Sequence, residues 1–217
     1  MSNIKLVHSG GNSVSLTTPT NNPSSNVTFK LPQADGTAGQ ALVTDGSGAL
    51  SFGTPTGAGK ILQVKQSVSS ATQSFSTGSS TLADSFFDIT GLSVTLTPAS
   101  GTKCFVSYSV NVGGQAGYGQ GIALFRDSTQ VFRGPASGSR VRLSNFVQTH
   151  ENNQIDVLSN QFLDTHGANG STAVTYKLQM YVATPGWTTR INRGQTWSDS
   201  RAFGSIISQI TVMEVAS

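Results

Sequence analysis

The sequence predicts an all-β protein in which an extended N-terminal segment of short strands and hairpins precedes an antiparallel jelly-roll sandwich. Charged residues make up only 11% of the 217 residues, against about a quarter in typical soluble domains. Gly, Ser, Thr and Asn are abundant, and these residues suit tight turns and pleated strands. No segment has the 3.6-residue apolar period of an amphipathic helix. We therefore expect little helix.

The first 56 residues contain short strands that are separated by turns rich in Gly, Pro, Asn and Ser. The predicted strands are IKLV (4–7), SVSL (13–16), NVTFKL (26–31), ALVT (41–44) and ALSF (49–52). The last two form the clearest hairpin. Strands this short, with so few large hydrophobic residues, cannot enclose a core within one chain. We expect this segment to need either sibling copies or a partner surface.

A change in amino-acid composition marks the domain boundary. Residues 53–60, GTPTGAGK, combine Gly, Pro and small residues without an apolar anchor, as linkers do. We therefore divide the chain into an N-terminal segment (1–56), a linker (57–60) and a head (61–217).

The head contains longer runs in which apolar and polar residues alternate, and these runs predict eight to ten strands. The runs are ILQVKQSV, FDITGLSVTL, CFVSYSVNV, GIALFRDSTQVF, VRLSNFVQT, QIDVLSNQFL, AVTYKLQMYV and ISQITVMEV. In KCFVSYSVNV the large side chains from Cys104 to Val112 share one face, opposite Ser107 and Ser109. Antiparallel strands of this length with Gly-rich turns favour a sandwich or jelly roll.

In YKLQMYV both faces carry large residues. Either a subunit interface or a second core layer explains this pattern.

Charge and cysteine content restrict the possible partners and locations. The net charge of +3 is too small and too dispersed for a nucleic-acid interface. No run approaches the roughly 18 apolar residues of a membrane-spanning helix, and no export signal is visible. Cys104, the single cysteine, is expected to be a buried small hydrophobe. An extracellular type of surface without signal or disulfides suits a virion component, which is assembled in the reducing host cytoplasm and released by lysis.

A glycine-rich stretch does not predict nucleotide binding. GGQAGYGQG (113–121) has no GK[ST] and connects two strands, so it lacks the helix N-terminus that binds phosphate. We expect a flexible loop between strands, and no cofactor.

Acidic residues and histidines offer only weak candidates for chemistry. His150 and Glu151 are adjacent, and Asp164 lies near His166, so a metal or acid–base cluster would form if these loops met in space. Solvated loop residues explain the same pattern, and we favour that interpretation. No Ser-His-Asp order is visible, and the Asp156 and Asp164 carboxylates have no spacing that indicates glycoside hydrolysis. We predict no catalytic residue, no metal site and no enzyme.

Aromatic and arginine residues in the loops are the candidate contact residues. They are Tyr118, Trp187, Arg190, Arg193 and Trp197, and they lie among Gly, Ser, Thr and Asn. Aromatic faces stack on sugar rings or pack in protein interfaces, and arginines bind carboxylates or phosphates. The alternative is that both tryptophans are buried at the ends of the sandwich or at a subunit axis.

Two parts of the chain carry a family resemblance. The run LPQADGTAGQALVTDGSGALSF (31–52) resembles a segment that begins structural and tail-fibre-like proteins of marine tailed phages, especially those of cyanobacteria. AVTYKLQMYV (173–182), INRGQTWSDS (191–200) and SQITVMEV (208–215) resemble the C1q/TNF-like trimeric head of phage fibres. The chain lacks the collagen-like stalk and the acidic calcium loops of some relatives, so neither feature is carried over.

The resemblance implies a homotrimer of jelly-roll heads and a non-enzymatic virion protein. In a short fibre or spike, residues 1–56 would dock on other virion proteins and the head would contact a host surface glycan or protein. In the alternative, a capsid or tail decoration protein, the trimer would stabilise the particle without binding a receptor. Glycan depolymerisation has less support, because the chain has neither a suitably spaced carboxylate pair nor a long β-helical repeat.

Overall fold

A computed structural model describes residues 4–16, 20–21, 23–53, 59–77, 86–201 and 204–216. These residues form strands and no helix, and the sheets are antiparallel, so the predicted all-β class is confirmed. None of the described residues forms a helix that is long and apolar enough to cross a membrane. The chain divides into two compact units, Met1–Thr56 and Gly57–Ser217.

In its described residues, the N-terminal unit forms two small hairpins. Strand β1 (Ile4–Val7) pairs with β2 (Ser13–Leu16), and β3 (Ala41–Thr44) pairs with β4 (Leu50–Gly53). The β3–β4 turn is stabilised by Asp45, whose carboxylate accepts hydrogen bonds from the Ser47 and Ala49 backbone N–H groups at 2.8 and 3.0 Å. This hairpin therefore has the local turn chemistry that its DGSG sequence predicts.

The predicted strand at residues 26–31 is wrong. Only Lys30 bridges to another segment, a single parallel bridge with Ala49. The side chains around it, Val27, Phe29 and Leu31, are 61%, 63% and 77% exposed. A strand needs a neighbouring strand for its backbone hydrogen bonds, and beyond this bridge the run has none in the described residues. None of this unit's described side chains is fully buried, so it has no closed core.

In its described residues, the head contains eleven strands, which form two stacked sheets. The strands are β5 (Ile61–Ser69), β6 (Gln73–Ser76), β7 (Phe86–Leu96), β8 (Lys103–Gly113), β9 (Tyr118–Arg126), β10 (Thr129–Phe132), β11 (Asn145–Thr149), β12 (Ile155–Asp164), β13 (Val174–Val182), β14 (Thr188–Ile191) and β15 (Ser208–Val215). The number of strands exceeds the predicted eight to ten because β6 and β14 were not predicted. In addition, GIALFRDSTQVF divides into β9 and β10 at Asp127, whose φ is 54°.

The strand order is that of a jelly roll. One sheet has the order β5–β15–β8–β12, with β14 and β6 continuing the β15 side of β8. The other has the order β7–β13–β9, and β10 and β11 share the free edge of β9. Successive strands thus pass between two antiparallel sheets, which is the arrangement of double-sheet jelly rolls.

The core lies between the sheets and follows the predicted alternation. On β8, Cys104, Val106, Tyr108, Val110 and Val112 are all buried, while the serines between them face outward and are half-buried. Strand β13 contributes Tyr176, Leu178 and Met180 from its inner face. Its outer face carries a second layer from the same chain, because Tyr181 is buried with its ring 5.7 Å from that of Phe86.

Two short segments have more strand pairing than the sequence predicts. Of the predicted linker, residues 57–58 lie outside the described residues, but Gly59 and Lys60 exchange backbone hydrogen bonds with Ala216 and so continue the β5–β15 pairing. The glycine-rich stretch is a loop only at residues 114–117, because most of its other residues belong to β8 and β9. A Cβ at Gly113 would meet the Arg193 carbonyl, and one at Gly119 would meet the Phe146 ring. Close packing therefore explains these two glycines.

Candidate functional site

Four of the described connections lie together at one end of the sandwich, which we call the loop end. They are residues 114–117, 150–154, 183–187 and 192–197. Asn152 joins three of them, because its side-chain Oδ1 accepts a hydrogen bond from the Ala116 N–H at 3.0 Å and its carbonyl accepts one from the Gln195 N–H at 2.8 Å. The loop end is thus held together by specific hydrogen bonds.

Two of the predicted contact residues, Tyr118 and Trp187, stack on each other at the loop end. Their ring centroids lie 4.0 Å apart and their planes differ by 22°. Tyr118 begins β9 and Trp187 immediately precedes β14, so the stack joins the two sheets across the end of the sandwich. Both residues are half-buried. The structure therefore combines the two interpretations of Trp187: it closes the sandwich and remains partly exposed.

A buried polar network lies beside this stack. Gln120, Thr149 and Thr189 are 2%, 0% and 3% exposed. The Gln120 amide donates to the Thr149 hydroxyl, and the Thr189 hydroxyl donates to Gln120 Oε1 at 3.1 Å. Because each of these side chains has a partner, the network fixes the geometry of the loop end instead of offering free groups.

Arg190 and Arg193, the next two predicted contact residues, lie close together. Arg190 is on the outward face of β14, opposite Ser74 of β6. Arg193 Nη2 donates to the Ser74 hydroxyl at 2.9 Å, and Arg190 Nη1 donates to the Thr188 carbonyl at 3.3 Å. Burial and the neighbouring Arg193 lower the pKa of the Arg190 guanidinium from its ordinary value. In the part of the chain that the structure describes, neither arginine has a carboxylate within 4.0 Å.

Trp197, the fifth predicted contact residue, is half-buried in the connection between β14 and β15. The structure thus brings Tyr118 to Trp187 and Arg190 to Arg193, and it places Trp197 four residues beyond Arg193. The sequence alone did not indicate which of these residues meet.

The histidines and acids that were considered for chemistry lie apart. His150 and Glu151 precede β12 and Asp164 ends it, and a ten-residue strand is roughly 30 Å long. Asp156 and Asp164 are eight residues apart on this strand, roughly 27 Å, well beyond the ~9.5 Å limit for glycosidase carboxylates. Among the described residues, no three His, Cys, Asp or Glu side chains form a group that could hold a metal ion.

The opposite end of the sandwich contains buried polar residues that the sequence did not single out. The Glu214 carboxylate, 2% exposed, accepts hydrogen bonds from the Ala99 N–H and the Thr102 hydroxyl, both at 2.8 Å. His166 Nε2 lies 3.2 Å from the same hydroxyl. Burial tends to raise the pKa of Glu214, but hydrogen bonds from Gln63, Ala99 and Thr102 hold it below its ordinary value. This cluster ties β15 to the β7–β8 turn.

A groove on the outer face of the other sheet was also not predicted. It has a volume of about 540 Å³, and its lining includes Arg140, Leu143, Phe146 and Tyr181. The connection between β10 and β11 forms much of it. The only sequence signal was the length of this connection and its three arginines, RGPASGSRVR.

Comparison with known proteins does not identify the chain. No protein-family model matches it, and a search of curated proteins gives no significant match.

Proposed function

We propose that the chain is a non-enzymatic structural protein of a phage particle, a short trimeric fibre or spike. Residues 1–56 dock on other virion proteins, and the head contacts the host surface through the loop end. The observation that carries the proposal is a pair of uncharged rows, one of them apolar, on a sheet face of the head at a distance from the loop end. This arrangement suits a molecule that associates with its own copies on one surface and binds on another.

The sheet face is the outer side of β5–β15–β8–β12. The strand register places Val64, Met213, Phe105 and Leu163 side by side, one on each strand. Val64 and Leu163 are 54% and 49% exposed, and the other two are half-buried. We call these four residues the apolar row. An apolar row that crosses a whole sheet is typical of a surface that another protein covers.

The rest of this face supports contact with a second copy. The next row across the same strands is Gln66, Thr211, Ser107 and Gln161, so neither row contains a charged residue. Charged residues are depleted in the centre of protein interfaces, because desolvating them is costly. A sheet face with an apolar row beside a row of uncharged amides and hydroxyls fits self-association into the trimer that the C1q/TNF-like resemblance implies.

The loop end is free to bind while this face is covered. Phe105 of the apolar row and Gly113 at the loop end are eight residues apart on β8, or roughly 27 Å. Three heads in one trimer would present three loop ends, and weak contacts at each would add through avidity.

The N-terminal unit supports a docking role. Its large hydrophobic residues are exposed, among them Leu6, Phe29, Leu31, Leu42 and Phe52, all at 40% or more. A unit without a core gains stability by covering such side chains with a partner surface. The resemblance of residues 31–52 to phage fibre proteins indicates that this partner is another virion protein.

Labelling of intact particles tests the proposal. Antibodies against the purified chain, applied to particles of the phage that encodes it, should label the tail at a few trimers per particle. They should also block adsorption to the host. Hundreds of copies on the shell without an effect on adsorption would favour a decoration protein instead. Absence of the chain from purified particles would overturn the proposal.

A further inference from the structure

The loop end concentrates the unsatisfied polar atoms of the protein. In the described residues, five buried side-chain atoms lack a hydrogen-bond partner, and they belong to Thr77, Asp156, Arg190, Arg193 and Gln195. All five residues lie at this end of the sandwich. Native structures satisfy nearly all buried polar groups, so a cluster of unsatisfied ones calls for an explanation. The five atoms themselves are covered by the protein, but their side chains are only half-buried, so the exposed parts of these side chains are available to a ligand.

The position of these residues follows from the strand pairing. Thr77 follows β6, and its carbonyl accepts a hydrogen bond from the Gly186 N–H at 2.7 Å, next to Trp187. Asp156 is paired with Val112, one residue before the end of β8. Gln195 is bonded to Asn152 in the neighbouring connection. Thr77 and Gln195 therefore lie at the same end as the arginines, whereas Asp156 is on the inner face of β12, opposite the buried Val112.

The two arginines indicate the charge of a ligand that would bind at this end. Guanidinium groups are positively charged in proteins, and the Nε atoms of both arginines are buried without a partner. Their remaining bonds go to uncharged oxygens, the Ser74 hydroxyl and the Thr188 carbonyl. Two like charges at close range repel each other. An anion between them would remove this repulsion and accept charge-assisted hydrogen bonds from their terminal nitrogens.

The surroundings indicate a sugar as the carrier of that anion. The half-buried Tyr118–Trp187 stack offers an aromatic surface that begins three residues before Arg190, roughly 10 Å along an extended strand. Aromatic faces of this kind stack on sugar rings. The Ser74 hydroxyl and the Thr188 carbonyl, which accept hydrogen bonds from the arginines, add polar groups beside them.

We propose that Arg190 and Arg193 form an anion subsite that binds the acidic group of a surface polysaccharide, a carboxylate, sulfate or phosphate. The aromatic stack contacts the neighbouring sugar unit. The subsite rests on the proposed function, since it gives the chemical class of the host surface that the loop end contacts.

Binding of the full chain to immobilised polysaccharides tests the subsite. The probes are polygalacturonate, dextran sulfate and phosphorylated mannan, with neutral dextran as the uncharged control, and their ranking identifies the acidic group. We expect Arg190→Gln and Arg193→Gln each to weaken binding to the preferred probe about tenfold or more, because each removes a charge-assisted interaction. Arg133→Gln is the matched control: it removes the same charge from an exposed residue next to β10, and it should change affinity less than about twofold.

A further variant guards against a folding artefact. Arg193→Lys keeps the charge and loses the two-pronged geometry, so it should bind more weakly than the native chain and more tightly than Arg193→Gln. Thermal melting of every variant checks the fold.

Three results would overturn the subsite: no binding to any acidic probe, equal binding to neutral dextran, or equal weakening by Arg133→Gln. These results are independent of particle labelling. A chain that is absent from particles but binds acidic polysaccharide through Arg190 and Arg193 would contradict the proposed function alone. A chain on the tail that ignores every acidic probe would contradict the subsite alone.

Discussion

The guanidinium of Arg126 lies 2.7 Å from the carboxylate of Asp164, and this ion pair connects β9 of one sheet to β12 of the other. The Tyr176 hydroxyl donates to the same carboxylate oxygen at 2.7 Å, so three strands converge on one buried acid. Asp164 is 5% exposed. The head is therefore held together by a polar contact between its sheets as well as by its apolar core.

Replacing Asp164 should destabilise the head. We expect Asp164→Asn to lower the free energy of unfolding by about 2 kcal/mol, because it leaves the Arg126 charge without its partner. The loss is smaller than for a fully buried pair, since 24% of the Arg126 side chain is exposed. Urea unfolding measures the change. Asp88→Asn is the control: it breaks the Lys177–Asp88 pair, whose acid is 61% exposed, and should cost less than about 1 kcal/mol. Equal losses would contradict the prediction.

Glu214 should make the stability of the head depend on pH. Its pKa is held below the ordinary value of 4.5 in the folded protein, so its ionised form stabilises the fold. This contribution is present above pH 4.5 and is lost as the pH falls through the lower, folded-state pKa.

Urea unfolding of the native chain and of Glu214→Gln across this range tests the pH effect. The native chain should lose more stability on acidification than the variant. Both proteins should carry Asp88→Asn, because hydrogen bonds from Lys177 and Gln179 also lower the pKa of Asp88. Parallel pH curves would exclude Glu214 as a source of the acid sensitivity.

The apolar row should control self-association. A lysine at position 163 would place a charge on the apolar row, where desolvation on association is costly. We therefore expect Leu163→Lys to shift the sedimenting species of the full chain from trimer to monomer. Phe146→Lys is the matched control, because Phe146 is 58% exposed on the other sheet, and it should leave the trimer intact. A native chain that sediments as a monomer at every concentration would refute the role of the row.

Local patterns were sufficient for the fold class and for much of the core. The alternation in β8 correctly assigned Cys104 to the inner face and Ser107 to the outer face, because successive side chains of a strand point to opposite sides. The run at residues 26–31 had equally good strand composition, yet it forms no strand. Its composition did not reveal that it lacks a neighbouring strand.

The candidate site was predicted only as a set of residue types. Aromatics and arginines in Gly- and Ser-rich loops singled out Tyr118, Trp187, Arg190 and Arg193. Nothing in the sequence indicated that the first two would stack, since 69 positions separate them, or that Arg190 and Arg193 would both lie beside Ser74. Contacts between residues that are distant in sequence depend on the order of strands in the two sheets.

The amino-acid sequence by itself determined that this chain is all-β, because composition and two-residue periodicity act locally and favour strands over helices. It also determined which face of a strand such as β8 turns inward. Only the tertiary structure decided which strands pair, and hence that Arg190 and Arg193 lie together at the loop end while the apolar row lies far from it. The physical reason is that sheet pairing joins residues distant in sequence, and the packing of the whole chain selects among many possible registers.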